Sequence, residues 1–160
     1  MSTLLIAIGN TLRRDDGVAH RVLEVLGPLP DDVTVRALMQ LTPEISEEIS
    51  HFGRILIVDA EAAQTPTAPG ELPGSPASAA LSPAIKPIVR EASYNAALCH
   101  SMGAAEIVAL SRSLYAFDGE AHLCHIPVPD FSEGEGVSPD GEANAQEAAA
   151  LIRDFLHRHA

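Results

Sequence analysis

The sequence predicts a three-layer α/β/α sandwich built on a mostly parallel sheet. Three observations lead there. Short, continuously apolar runs such as "TLLIAI" and "ILIVDA" have the pattern of strands buried on both faces. Stripes of apolar residues at helical spacing lie between them. The order is strand, helix, strand, helix, strand, long excursion, helix, strand, helix, as expected of consecutive parallel strands joined by crossover helices.

Thr3 to Ile8 form the first strand. Val18, Val22, Val25 and Leu26 then recur at helical spacing, so a helix runs from about Gly17 to Leu26 and stops at Gly27, Pro28 and Pro30. "VTVRAL" alternates as a second strand. Thr42 and Pro43 signal a second helix, a capping hydroxyl before a proline whose missing N–H costs nothing there. Ile45, Ile49 and Phe52 are its stripe, and Gly53 ends it. Ile55 to Ala60 form a third strand closing on Asp59. The following segment, Glu61 to Ala97, is rich in Pro, Ala, Gly and Ser and reads as a long irregular excursion with one short edge strand around Glu71 and Leu72. A third helix covers Met102 to Tyr115, with Ile107, Leu110 and Leu114 facing inward. "AHLCHIPV" is the last strand. Ser138 and Pro139 repeat the capping signal, and Ala148, Ile152, Phe155 and Leu156 line one face of a final helix.

A chain of 160 residues suits one domain, residues 1–160, and is too short for two. Hydrophobic residues at 46% and charged residues at 20% indicate a globular chain. Trp is absent, so the core rests on Ala, Val, Leu and Ile. A formal net charge of -12 repels phosphate, which excludes nucleic acid as a partner and tolerates a basic partner or a cation. Cys99 and Cys124 do not make a disulfide framework and read as reduced thiols. The start, "MSTLLIAIGN", lacks a basic region, and its apolar run is too short to span a bilayer. A soluble cytoplasmic protein with no membrane partner is expected.

In parallel sheets, ligands bind outside the C-terminal strand ends where successive connections diverge. If the third strand packs beside the first, opposite the second, a crevice opens between their ends. Asp15 or Asp16 then lies at one lip and Asp59 at the other. Position alone also allows the adjacent pair to cap the first helix, and one Asp can cap while the other faces the crevice. Asp59 closes a buried strand, where a carboxylate is costly without a partner. It is either a turn residue or a ligand or acid/base group. His100, before the third helix, completes a set of two carboxylates and one imidazole, suited to a divalent transition metal with open positions. Taken alone it is a hydrogen-bonding helix-start residue. Neighbouring Cys99 is either a soft ligand to the same ion or a small buried hydrophobe, and the second reading is favoured. His20, His51, His122, His125, His157 and His159 read as structural. Gly9-Asn10 lacks the further glycines of a dinucleotide fingerprint, and no serine-hydrolase elbow or zincin motif occurs.

Five pieces in order carry a resemblance. "IGNTLRRDDGVAHRVLEVL" resembles the opening motif of the hydrogenase maturation endopeptidases, which trim the C-terminus of the large subunit of nickel–iron hydrogenases. "MQLTPEISEEISHFGRILIVDA" is similar to that family's Gln-x-x-x-Glu helix and the strand closing on Asp-Ala. "APGEL", "HSMGAAEIVAL" and "GEGVSPDGEANAQEAAALI" resemble its later Pro-Gly, His-x-x-Gly and closing segments. The resemblance implies a five-stranded mixed sheet with one antiparallel strand. It also implies hydrolysis of a peptide bond in the large-subunit precursor after nickel insertion. Asp16, Asp59 and His100 fall on the family's metal-ligand positions, as both catalytic and metal-binding candidates, with Asp15 supporting the turn. The nickel is the substrate's own ion, and other divalent metals can substitute. The alternative is a non-catalytic nickel-binding accessory protein of hydrogenase assembly. The excursion from Glu61 to Ala97 is a candidate for gripping the precursor tail.

Overall fold

Five strands make one mixed sheet in the order β2-β1-β3-β5-β4 in the computed structural model, which describes residues 1–63, 82–89 and 102–158. The strands are β1 (Thr3–Ile8), β2 (Val33–Leu38), β3 (Arg54–Ala62), β4 (Ala84–Pro87) and β5 (Glu120–Val128). β1, β2, β3 and β5 are parallel, and β4 pairs antiparallel with β5. The third strand does pack beside the first, opposite the second, so the crevice opens where the sequence argument placed it.

Helices cover both faces: α1 (Val18–Leu26), α2 (Ile45–Ile49), α3 (Ala104–Tyr115) and α4 (Pro139–Arg158). Alternation along the strands divides the core. Leu5, Ala7, Leu56, Val58, Cys124 and Ile126 face α1 and α4. Leu4, Ile6, Ile55 and Ile57 face α2 and α3, on Ile45, Ile49, Ile107 and Val108. Small residues on α4, Ala145, Ala148 and Ala149, let it seat closely against Val18, Ala19 and Val22 of α1. Each fully buried Leu or Ile contributes about 1.5–3 kcal/mol of transfer free energy. Arg54, 4% exposed, closes the far end of the sheet, reaching Glu120 at 3.2 Å and lying over the Phe155 ring.

Several boundaries differ from the sequence reading. The expected irregular excursion holds two pieces of regular structure: β3 runs on to Ala62, and β4 forms at Ala84–Pro87. The edge strand expected near Glu71 and Leu72 lies outside the described residues. α2 begins at Ile45 without a side-chain cap, because the Thr42 hydroxyl bonds the Glu44 carboxylate instead. Leu114 does not face inward. It is 65% exposed, as is much of Tyr115 after it, while Ile107, Val108 and Leu110 earlier on the same helix are buried. Among the described residues no helix is long and apolar enough to cross a membrane.

Candidate functional site

The site is built at the C-terminal ends of β1 and β3, starting with a turn that only glycine permits. Gly9 leaves β1 at φ +153°, and a Cβ there would collide with the Asp16 carbonyl oxygen. Asn10 then makes an Asx turn, its Oδ1 accepting from the Leu12 N–H at 3.0 Å. The Asn10 N–H donates to Asp16 Oδ2 at 2.8 Å, which fixes that carboxylate across the turn. His20, one turn into α1, donates Nε2–H to the Gly9 carbonyl at 2.9 Å, since a carbonyl only accepts.

A 3₁₀ turn over Arg14–Gly17 separates the two carboxylates of the acidic pair. Asp15 is fully buried. It accepts from the Asp130 N–H at 3.0 Å, the Ser138 N–H at 2.6 Å and the Ser138 hydroxyl at 2.8 Å. Ser138 Oγ also accepts from Gly141 N–H at 3.0 Å, so the cap of α4 and the partner of Asp15 are one hydroxyl. Asp15 is therefore spent on joining the opening loop to the closing loop. Asp16 is half-buried and turned the other way, within electrostatic reach of Asp59.

Asp59 is also half-buried, and its carboxyl is pushed up to about 6. Burial is the main cause. The Ala60 N–H partly offsets it, and the charges of Asp16 and Glu61 raise it further. Two neighbouring carboxylates in a partly dry cleft are an arrangement that a cation relieves. Among the described residues, no group of three or more His, Cys, Asp or Glu side chains could hold a metal ion. Of the three residues expected at the site, Asp16 and Asp59 lie among the described ones. His100, and Cys99 beside it, lie outside the described residues.

The structure adds two groups to the rim. His125 of β5 is in register with Asp59 of β3, and its Nδ1 lies 3.6 Å from Glu61 Oε2. Sequence reading set His125 aside as structural. Its alternation against His122 and Cys124 was visible, but the strand it would lie beside was not. Cys124 is buried and free, and burial pushes its thiol up to about 12, which makes it inert at neutral pH.

No family model matches the sequence, and no curated protein matches it. Solved structures do. The chain is similar to an endopeptidase from Escherichia coli solved in solution, with 21% identity and a TM-score of 0.73, covering 100% of this chain and 94% of that one. It is similar to the hydrogenase maturating endopeptidase HybD of E. coli, with 20% identity, a TM-score of 0.67 and the same coverage. A [NiFe] hydrogenase maturation protease, HycI from Thermococcus kodakarensis, gives 19% identity and a TM-score of 0.66 over 98% of this chain and 92% of that one. At these identities the likeness establishes the architecture: this chain has the fold of the hydrogenase-maturation endopeptidases.

Proposed function

We propose that this protein is an endopeptidase that removes the C-terminal extension of a nickel–iron hydrogenase large-subunit precursor once nickel is in place. The observation that supports the reading is the pair Asp16 and Asp59, two carboxylates near enough at the ends of β1 and β3 to feel one another's charge, in a fold shared with such endopeptidases. Asp16, Asp59 and His100 are the residues assigned to recognise nickel. The ion arrives as part of the substrate, held by the precursor's own ligands, and meets the open carboxylates of this chain. Docking through it would place the scissile peptide at the crevice and supply the proximity that hydrolysis needs.

Asp59 also has the character of a general base. A carboxyl held near 6 is ionised at neutral pH and is more basic than an ordinary Asp. It would take a proton from water as the water oxygen adds to the scissile carbonyl carbon. The proton would then pass to the departing amine as the C–N bond breaks.

The test is incubation with nickel-loaded precursor, read by mass. Loss of the C-terminal extension is expected. Tight binding of nickel-loaded precursor without any cleavage would instead identify a non-catalytic accessory protein.

A further inference from the structure

A groove lies beside the acidic pair, on the side of α1. The opening loop, the first turn of α1 and the closing loop enclose its volume of about 190 Å³, lined in part by Thr11, Arg14, His20, Arg21, Gly136 and Val137. We propose that this groove binds a carboxylate of the polypeptide substrate, with the guanidinium of Arg14 as its recognition group. The proposal rests on the peptidase reading above for the identity of the ligand as a polypeptide.

The two arginines of the groove differ in what they have left to offer. Arg21 is neutralised. Its Nε and Nη2 lie 2.8 and 3.1 Å from the Glu142 carboxylate, and its Nη1 lies 2.6 Å from Glu24. Arg14 makes no such ion pair among the described residues. Its Nη1 donates at 3.4 Å to the Glu135 carbonyl, which carries no full charge. Asp130 feels the Arg14 charge but makes no ion pair with it, and its Oδ1 accepts from the N–H and hydroxyl of Ser132 at 2.9 and 2.5 Å.

Arg14 is also held in place before any ligand arrives. Its φ of +44° lies in the left-handed region, which a residue with a Cβ rarely adopts. The backbone is pinned there by Arg14 N–H to Gly134 O and Asp15 N–H to Asp130 O, both 2.9 Å. The side chain lies across Gly134, where a Cβ would come within 2.7 Å of Arg14 Nε. A strained backbone and a bare glycine together present one planar fork to the groove.

That fork matches a carboxylate, which it can bind through two parallel hydrogen bonds. One unneutralised guanidinium suits one negative charge. A phosphate dianion would bring a second negative charge into the field of a chain with net charge -12. The groove communicates with the acidic site through His20, whose ring holds the Gly9 carbonyl at the start of the turn carrying Asp16.

The test is titration of ¹⁵N-labelled full-length protein with alanine pentapeptides, end-blocked except where a free carboxylate is named, followed by NMR. One peptide carries a central glutamate, a second has a free C-terminal carboxylate, and a third is neutral; inorganic phosphate is the fourth probe. The amides of His20 and Gly136 and the Nε–H of Arg14 are expected to shift saturably with a carboxylate peptide. The tighter of the first two peptides identifies the source of the carboxylate. The neutral peptide should bind about tenfold more weakly, as should either carboxylate peptide to Arg14→Gln, with Arg14→Lys between. Equal affinity for neutral and carboxylate peptides in the wild type overturns the proposal without reference to any variant, and so does tighter binding of phosphate. Because binding is read without cleavage, the two readings fail separately. Carboxylate binding by a protein that never cuts nickel-loaded precursor leaves the groove and removes the peptidase. Cleavage by Arg14→Gln at unchanged KM leaves the peptidase and removes the groove.

Discussion

The Asp15 carboxylate and the Ser138 hydroxyl lie 2.8 Å apart, although 123 residues separate them in the chain. The same carboxylate takes two backbone N–H donors from the closing loop and is fully buried, so it is committed to the loops rather than open to a ligand. The acidic pair is thus divided between one carboxylate that holds the loops and one that faces the crevice.

Replacing Asp15 should therefore cost stability first. Asp15→Asn puts an amide NH₂ where donors already converge, and a destabilisation of about 2–3 kcal/mol is expected. Urea unfolding measures it. At concentrations where the variant is folded, precursor cleavage should persist at a reduced rate.

The crevice residues should behave in the opposite way. Asp16→Asn, Asp59→Asn and His100→Ala are each expected to abolish processing of nickel-loaded precursor and leave the circular dichroism spectrum intact. Retained cleavage in Asp16→Asn alongside complete loss in a folded Asp15→Asn would reverse the assignment within the pair.

Asp59 gives a stability prediction with a definite sign. Its folded-state pKa, about 6, is above that of an unfolded Asp, near 3.9. A group raised in this way favours the folded state only while protonated, and that contribution is lost as pH rises from about 4 through 6. In metal-free protein, Asp59→Asn should therefore be more stable than wild type at pH 7, by roughly 1–3 kcal/mol. The difference should shrink toward zero near pH 4. Denaturant midpoints across that range decide it, and a variant no more stable than wild type at pH 7 contradicts the buried, charge-crowded environment.

Nickel should gate the reaction. Nickel-loaded precursor is expected to be cleaved, and precursor stripped by chelation is not, with the same enzyme in both tubes. Mass spectrometry with metal analysis reads the result. Equal cleavage of both forms would leave a plain peptidase that reads only the tail sequence.

Gly9→Ala tests the turn. The new Cβ would collide with the Asp16 carbonyl at a φ of +153°, so a loss of about 2–4 kcal/mol is expected, with Asp16 displaced. By contrast, Leu114→Ser on the exposed end of α3 should change stability by only about 0.5 kcal/mol.

What the sequence made legible follows from how local each signal is. β1 and β3 are buried on both faces, so their apolar runs are unbroken and their ends locate the crevice. β4 is a four-residue edge strand, "AIKP", whose lysine and proline suit an unpaired edge and conceal it as a strand. Leu114 has the right spacing for an inward face, but spacing does not say where burial along the helix ends. Asp59 is conspicuous because it closes an apolar strand. The capping role of Ser138 is local and readable, whereas its bond to Asp15 depends on the tertiary fold. His125 beside Asp59 depends on β5 pairing with β3 across a long connection. His100 is read from its place before the third helix and from the His-x-x-Gly segment, and it lies outside the described residues.

The loop clasp also sets a timetable for the newborn chain. Asp15 leaves the ribosome early, but its partners at Asp130 and Ser138 follow more than a hundred residues later. At about 5–20 residues per second, that delay is roughly 6–25 s. Throughout it, the Asp15 carboxylate lacks the donors that bury it, and α1 lacks the helix it packs on. A half-made chain accordingly carries the acidic pair with Asp15 still lacking its partners, until the loop before α4 has emerged and closed on it.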